Sequence, residues 1–322
     1  MKISGKTFAI VGALACALAS GTLAPAAPAL AYDNVFTIWD ENDFWGAWSD
    51  KYYTNHTRFG ITHSPECSDV PSLVFGSIGQ EFYTPRHKSA PAAPADDHPY
   101  AAFLYASYGT AFYDQNLLVA GELQLGIVGP SALGHGVQRA WHKMIGEPVP
   151  EGWDSQIKDQ LGVNGLFDIR QRVVFSGDYL PESGFASDAI FRAFASLGTV
   201  RTLASVGAQI RFGQNLASDF GFAPQRQSTS FVIPANGKTS VYGFVDLQCD
   251  ALAYDATLGG KFLRGNDSDI YAYPFAAEAT VGFGVNYGRW AFVFFQSVRT
   301  KDFSDADKNF FAFGGFRVST SF

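Results

Sequence analysis

Residues 310–322 read FFAFGGFRVSTSF, and the last seven of them decide the fold. Phe316, Val318, Thr320 and Phe322 fall on one side of an extended chain, with Arg317, Ser319 and Ser321 on the other. Side chains of a strand point alternately to its two faces, so this is a strand with one apolar and one polar face. The same period recurs upstream. It predicts strands over 34–43, 55–64, 73–84, 100–113, 117–128, 163–175, 187–198, 200–212, 239–250, 273–286, 289–299 and 310–322. Twelve is an even number, as an antiparallel barrel with both ends on one side requires. Asp114-Gln115-Asn116 and Tyr287-Gly288 read as tight turns, and 86–98, 129–162, 213–238 and 251–272 as long connections. The expected fold is all-β: a 12-stranded antiparallel transmembrane β-barrel with one short helix at its outer rim.

Composition fits this reading without choosing it. Hydrophobic residues make up 47% of the chain and aromatics 16%, with 30 Phe and 14 Tyr. No stretch beyond the N-terminus approaches the roughly 18 consecutive apolar residues of a membrane helix. Lipid-facing residues alternating with polar lumen residues produce such an average, but a secreted β-sandwich has a similar one. The net charge of −7 argues against nucleic acid as a partner and gives no general attraction to an anionic membrane surface. Lys2 and Lys6, the short apolar run from Phe8 to Ala19, and Ala29-Leu30-Ala31 read as a signal peptide over 1–31. Residues 32–322 then form a single barrel domain, expected to be a monomer. The mature chain keeps Cys67 and Cys249, too few for a disulfide framework.

From Ser131 to Ile145 the alternation stops and a short helix is predicted. Val137, Trp141 and Met144 recur at i, i+4 and i+7 as a packing stripe, and Gln138 and His142 project together beside it. Gly146 and Pro148 end the helix. If the N-terminus lies in the periplasm, the connections 44–54, 85–99 and 129–162 all fall at the outer rim. Asn42, Asp43, Thr54, Lys88, Asp97, Gln138 and His142 would then converge at one level. His142 can exchange a proton near neutral pH, and Gln138 can orient a water or a carbonyl; a solvated helix face is the bland alternative. Glu41-Asn42-Asp43 is an oxygen-rich group of the kind that suits Ca²⁺, or simply a polar strand end. Zinc fits less well, since Gln between His135 and His142 is a poor ligand. The sequence has no G-x-S-x-G elbow and no glycine-rich phosphate loop.

A terminal Phe closing an alternating strand resembles the signature of bacterial outer-membrane barrels. Six blocks go further: ENDFWG (41–46), YYTN (52–55), GQEFYTP (79–85), DDHPYA (96–101), GIVGPSALGHGVQRAWHKMIG (126–146) and GWDSQIKDQ (152–160). In this order they resemble the lipid A 3′-O-deacylase family of outer-membrane enzymes, densely over residues 33–175 and as strand pattern to Phe322. The resemblance implies a twelve-stranded, calcium-dependent enzyme that removes the 3′-linked acyloxyacyl chain from lipid A. Its substrate would be the lipopolysaccharide of the outer leaflet, met at a site facing the extracellular side. It implies that His142 is the general base, Gln138 its partner, and Asn42 and Asp43 the metal pair, with Asp43 as a calcium ligand. Thr54 matches the site threonine, and Lys88, the sole lysine of its loop, the site lysine. Asp97 and His98 would contact substrate, His98 standing where many members carry Arg. An acidic residue just after the helix has no matching position, Glu147 being offset by one. The competing expectation is a non-enzymatic porin or structural barrel. A phospholipase would need an activated serine, and none is identified.

Overall fold

The computed structural model describes residues 30–47, 51–65, 71–176, 184–216, 219–259, 270–304, 306 and 309–322. The expected signal peptide falls on residues 1–29 for all but its end, and Cys67 on 66–70, both outside the described residues.

The strands are β1 (Asn34–Asn42), β2 (Tyr52–His63), β3 (Ser72–Thr84), β4 (Ala101–Tyr113), β5 (Leu117–Val128), β6 (Gln160–Ser176), β7 (Ala186–Gly198), β8 (Arg201–Gln214), β9 (Ser240–Asp255), β10 (Phe275–Tyr287), β11 (Trp290–Thr300) and β12 (Phe310–Ser321). Each pairs antiparallel with its neighbours in sequence, and β1 with β12 closes the barrel. The seam runs from Val35↔Ser321 to Asn42↔Gly314. Closure leaves no sheet edge, which a lipid environment demands because it offers no hydrogen-bonding solvent. Two short helices, α1 (Asp43–Ala47) and α2 (Gly134–Ile145), interrupt the rim where β1 meets β2 and where β5 meets β6.

Several strands outrun the alternation that revealed them. β2 begins at Tyr52, so Thr54 belongs to a strand and not to a connection; β6 begins at Gln160 and β9 reaches Asp255. Pairing continues there through residues such as Tyr52-Tyr53-Thr54 and Ala251-Leu252-Ala253-Tyr254, which do not alternate apolar with polar. The last tight turn is Gly288-Arg289, one residue beyond the expected place, with Gly288 at φ 57°.

The wall is inside out. Phe59, Ile61, Ile78, Leu123, Leu125, Val245 and Leu247 are exposed on the outside, whereas arginines, aspartates and glutamates are buried within. Arg192 pairs with Asp246 at 2.7 Å, Arg299 with Asp250 at 2.7 Å and with Glu278 at 3.2 Å, and Arg211 with Asp188 at 2.6 Å. Such charges persist inside a protein only when paired and hydrogen-bonded.

The connection between β8 and β9 does what its sequence did not announce. It leaves the end of the barrel where β1 begins and β12 ends, and turns back into the lumen, where residues 220–232 are buried. Its backbone is tied to the wall all round. Gln225 N donates to Glu41 Oε1 (2.8 Å), Ser230 N to Glu122 Oε2 (2.7 Å) and Arg192 to the Phe222 carbonyl (2.6 Å). The tip reaches the opposite mouth, where Arg226 pairs with Asp302 at 3.1 Å. Plug and ion pairs together fill the barrel.

Candidate active site

Register separates the two faces of the wall. Glu41, Tyr53, Glu81, Tyr83 and Phe103 point into the lumen, where Tyr53 Oη donates to Glu41 and Arg201 to Glu81 and Tyr83. Their chain neighbours Asp40, Asn42, Phe82 and Ala102 therefore point outwards, as does Asn55, which precedes His56, itself turned to Tyr105 in the lumen.

On that outer face, α1 lies across β12. Trp45 meets Phe316 edge-on, with ring centroids 6.3 Å apart, and its carbonyl accepts from Gln296 Nε2 at 3.0 Å. Beneath it, Asp40 accepts from Asn55 (3.0 Å), Thr57 (2.6 Å) and Trp45 (3.4 Å). This is a polar strip on a wall otherwise built for lipid. Asn42 Oδ1 accepts the Phe44 amide at 2.8 Å, and the buried Asp43 accepts the Lys51 amide through Oδ2 at 2.6 Å. These bonds fix both groups at the head of α1. One strand on, Thr54 is the extra residue of a bulge in the β2–β3 pairing, beside Tyr52 at φ 65°. Its hydroxyl meets that of Thr84 on β3 at 2.7 Å. Bulges at a rim re-aim side chains in this way.

α2 lies against the outside of β3 and β4. Trp153, in a short 3-10 turn after the helix, packs on Phe82 and Tyr100. A Cβ on Gly134 would sit 2.6 Å from Ala102 Cβ and 2.7 Å from the Trp153 ring, so only glycine allows this approach. Gln80 on β3 donates to the Ala132 carbonyl at 2.6 Å, pinning the helix entry. The exit is a left-handed cap at Gly146 (φ 78°).

The helix is turned the opposite way from the expected packing stripe. Val137, Trp141 and Met144 are 44%, 50% and 69% exposed, whereas Gln138 and His142 are 1% and 5% exposed. An apolar stripe on the outside of a membrane barrel has lipid to face, so the polar pair takes the protein side. Gln138 Oε1 accepts the Trp153 indole N–H at 2.7 Å. His142 Nδ1 lies 2.6 Å from the Pro148 carbonyl oxygen. A carbonyl only accepts, so Nδ1 carries the proton and the lone pair of the neutral ring sits on Nε2.

Lys88 joins the same flank through its backbone. Its carbonyl accepts from Glu151 N (3.0 Å) and from the Tyr100 hydroxyl (3.1 Å). Asp97 and His98 do not reach the outer face. Asp97 is buried in its own loop, accepting the Arg86 and His98 amides at 3.0 and 2.8 Å. Burial pushes its carboxyl above the usual range. His98 stacks on lumen-facing Tyr83, with centroids 5.0 Å apart, and burial lowers its pKa. It lines a cleft over the lumen with Tyr53, Arg226, Asp255 and Asp302, across the wall from Gln138. His135 stacks on Trp153, away from metal chemistry.

Asn42, Asp43, Thr54, Lys88, Gln138 and His142 thus share one rim, over the adjacent strands β1 to β4, with α2 reaching there from the β5–β6 connection. A family model described as "Outer membrane protein LpxR" matches residues 11–322. The chain belongs to the LpxR family. It is a bacterial outer-membrane protein of lipid A remodelling, the family whose motifs are quoted above. Among solved structures, LpxR from Salmonella typhimurium aligns with a TM-score of 0.77 at 19% identity, over 89% of this chain and all of that one. The β domain of the Bordetella autotransporter BrkA aligns at a TM-score of 0.42 and 12% identity, covering 90% of this chain and 98% of that one. No curated protein matches the chain. As in the rest of the LpxR family, then, chemistry on this barrel concerns lipid A.

Proposed function

We propose that this LpxR-family barrel is an ester hydrolase that removes the 3′-linked acyloxyacyl chain from lipid A, working from the extracellular rim of its outer wall. One observation carries the reading: His142, its tautomer set by Pro148, is buried with Gln138 between a helix and the face of the wall that meets lipid. A membrane lipid reaches that face by lateral diffusion. A solute passing through the lumen would not meet it, and the filled lumen disfavours the porin alternative.

In the proposed reaction, Nε2 of His142 takes a proton from water, which attacks the ester carbonyl. The ring then returns the proton to the departing 3′-hydroxyl, while Nδ1–H stays on the Pro148 carbonyl and steadies the cation formed in between. Trp153 holds Gln138 Oε1, which fixes the amide one turn from His142, where it helps to orient the water or the ester carbonyl. Thr54 helps to shape the bulged rim, and Lys88 supplies a cation for a glucosamine phosphate.

Calcium fits the donor types present. Asn42 and Asp43 offer hard oxygens, a carboxylate and an amide carbonyl, the donor types that Ca²⁺ favours. Among the described residues no group of three His, Cys, Asp or Glu could hold a metal, which suits zinc poorly and leaves a Ca²⁺ shell to be completed by neutral oxygens and water. Asn42 and Asp43 would hold the ion, whose contribution is polarisation of the ester carbonyl.

Mass spectrometry of lipid A from cells expressing the protein tests this. Loss of one acyloxyacyl unit is expected with the wild type. With His142→Ala the loss should slow by about 10²–10⁴-fold while the barrel stays heat-modifiable on gels. Unchanged hydrolysis would reject the assigned base. EGTA should abolish turnover and added Ca²⁺ restore it; indifference to both removes calcium alone.

A further inference from the structure

The three flanks of α2 divide its surroundings. Its buried row is Gly134, Gln138 and His142. At about 100° per residue, Val137, Trp141 and Met144 fall on one side of that row, and Arg139 and Lys143 on the other. Both cations are exposed, and no carboxylate of the described residues pairs with them. The helix, GHGVQRAWHKMI, has no acidic residue, although the chain as a whole is negative. Its apolar flank continues a wall surface already given over to lipid: Ile78 on β3, Tyr108 on β4, and Leu123 and Leu125 on β5 are all exposed. A helix with one apolar and one cationic flank lies along a membrane interface.

We infer that α2 is an interfacial clamp for a phosphorylated glycolipid of the outer leaflet, Arg139 and Lys143 taking its phosphate while Val137, Trp141 and Met144 lie among its acyl chains. The inference deepens the lipid A reading and rests on it for the identity of the lipid. The occupant follows from continuity and charge: the apolar flank shares the lipid boundary, and the cations stand i and i+4 on the side away from it. A phosphate held there sits beside the helix that carries His142, which sets the register of the ester against Nε2. Arg offers a planar fork to phosphate and Lys a point charge, so the two can share one group.

The test is equilibrium binding to full-length protein in detergent micelles, made inert by His142→Ala, with bis-phosphorylated and with dephosphorylated lipid A as probes. Each cation near a membrane surface is worth about five-fold in affinity, so Arg139→Gln with Lys143→Gln should weaken binding of the phosphorylated probe roughly thirty-fold. The dephosphorylated probe should change less than about two-fold on the same estimate. Arg139→Lys should keep most of the affinity, and Trp141→Gln should weaken both probes alike. Equal losses for the two probes, or no loss, overturn the clamp. Phosphate-selective binding by a wild type that hydrolyses no lipid A would sink the hydrolase reading and leave the clamp standing.

Discussion

The Pro148 carbonyl gives His142 its direction. It comes from the backbone, two residues past a glycine cap, so no substitution of that side chain can test it; the neighbouring contact can be tested. Trp153→Phe keeps the ring between Phe82 and Tyr100 but deletes the N–H that Gln138 accepts. Losing a neutral hydrogen bond of about 1–1.5 kcal/mol should lower turnover roughly ten-fold, with heat modifiability unchanged. Kinetics on purified lipid A would show it, and full activity would separate Gln138 from the chemistry. His98 makes a different prediction. Its pKa is lowered, chiefly because burial penalises the cation, so the folded protein binds fewer protons there than the unfolded chain does. Stability from this group is therefore complete above the free value of about 6.5 and declines as pH falls through and below it. An NMR titration of its ring should find a midpoint under 6.5 and a neutral ring at pH 7; a cation at pH 7 contradicts the placement.

Among the elements, the strands were legible and the helix only half so. Period two survives wherever a strand separates lipid from lumen, which is why 310–322 and its counterparts could be read. It fades at the rims, where Tyr52, Tyr53 and Thr54 are all buried and so read as a connection. For α2 the spacing of Val137, Trp141 and Met144 does mark one apolar stripe, but the stripe is exposed on the outer wall and not packed on protein. Periodicity marks an apolar side without naming its neighbour. Residue type and helix spacing single out Asn42–Asp43 and Gln138–His142, and the motif order adds the roles they would take; sequence alone could not place His98 across the wall from them. How α2 seats itself depends on Gly134. Gly134→Val would drive a side chain into Ala102 and Trp153, neither of which can swing aside. The helix should lift from β4, with faster hydrogen exchange over 134–145 and a loss of activity of about ten-fold or more. Native exchange there would show that the close approach is dispensable.

For the molecule as a whole, the plug matters most. Nothing in its segment QRQSTS (225–230) distinguishes it from a solvated loop, because the interior it enters is itself polar. Replacing residues 219–233 by a short Gly-Ser turn should leave a barrel with an open lumen. Planar bilayers should then register steady ion conductance, where the wild type gives none. Conductance by the wild type would revive the channel alternative. The buried pairs argue that such a deletion costs stability too, since stripping a partner from a buried ion pair costs about 3–5 kcal/mol.

The plug also constrains how the protein is assembled. It lies between β8 and β9 in the chain, yet it holds Glu41 of β1, Glu122 of β5 and Asp168 of β6. Once β1 and β12 have zipped together there is no side door through which that segment can be threaded. Its one way in is then the mouth from which β8 and β9 hang, and until it arrives the arginines and carboxylates that it satisfies stand in an unlined shaft.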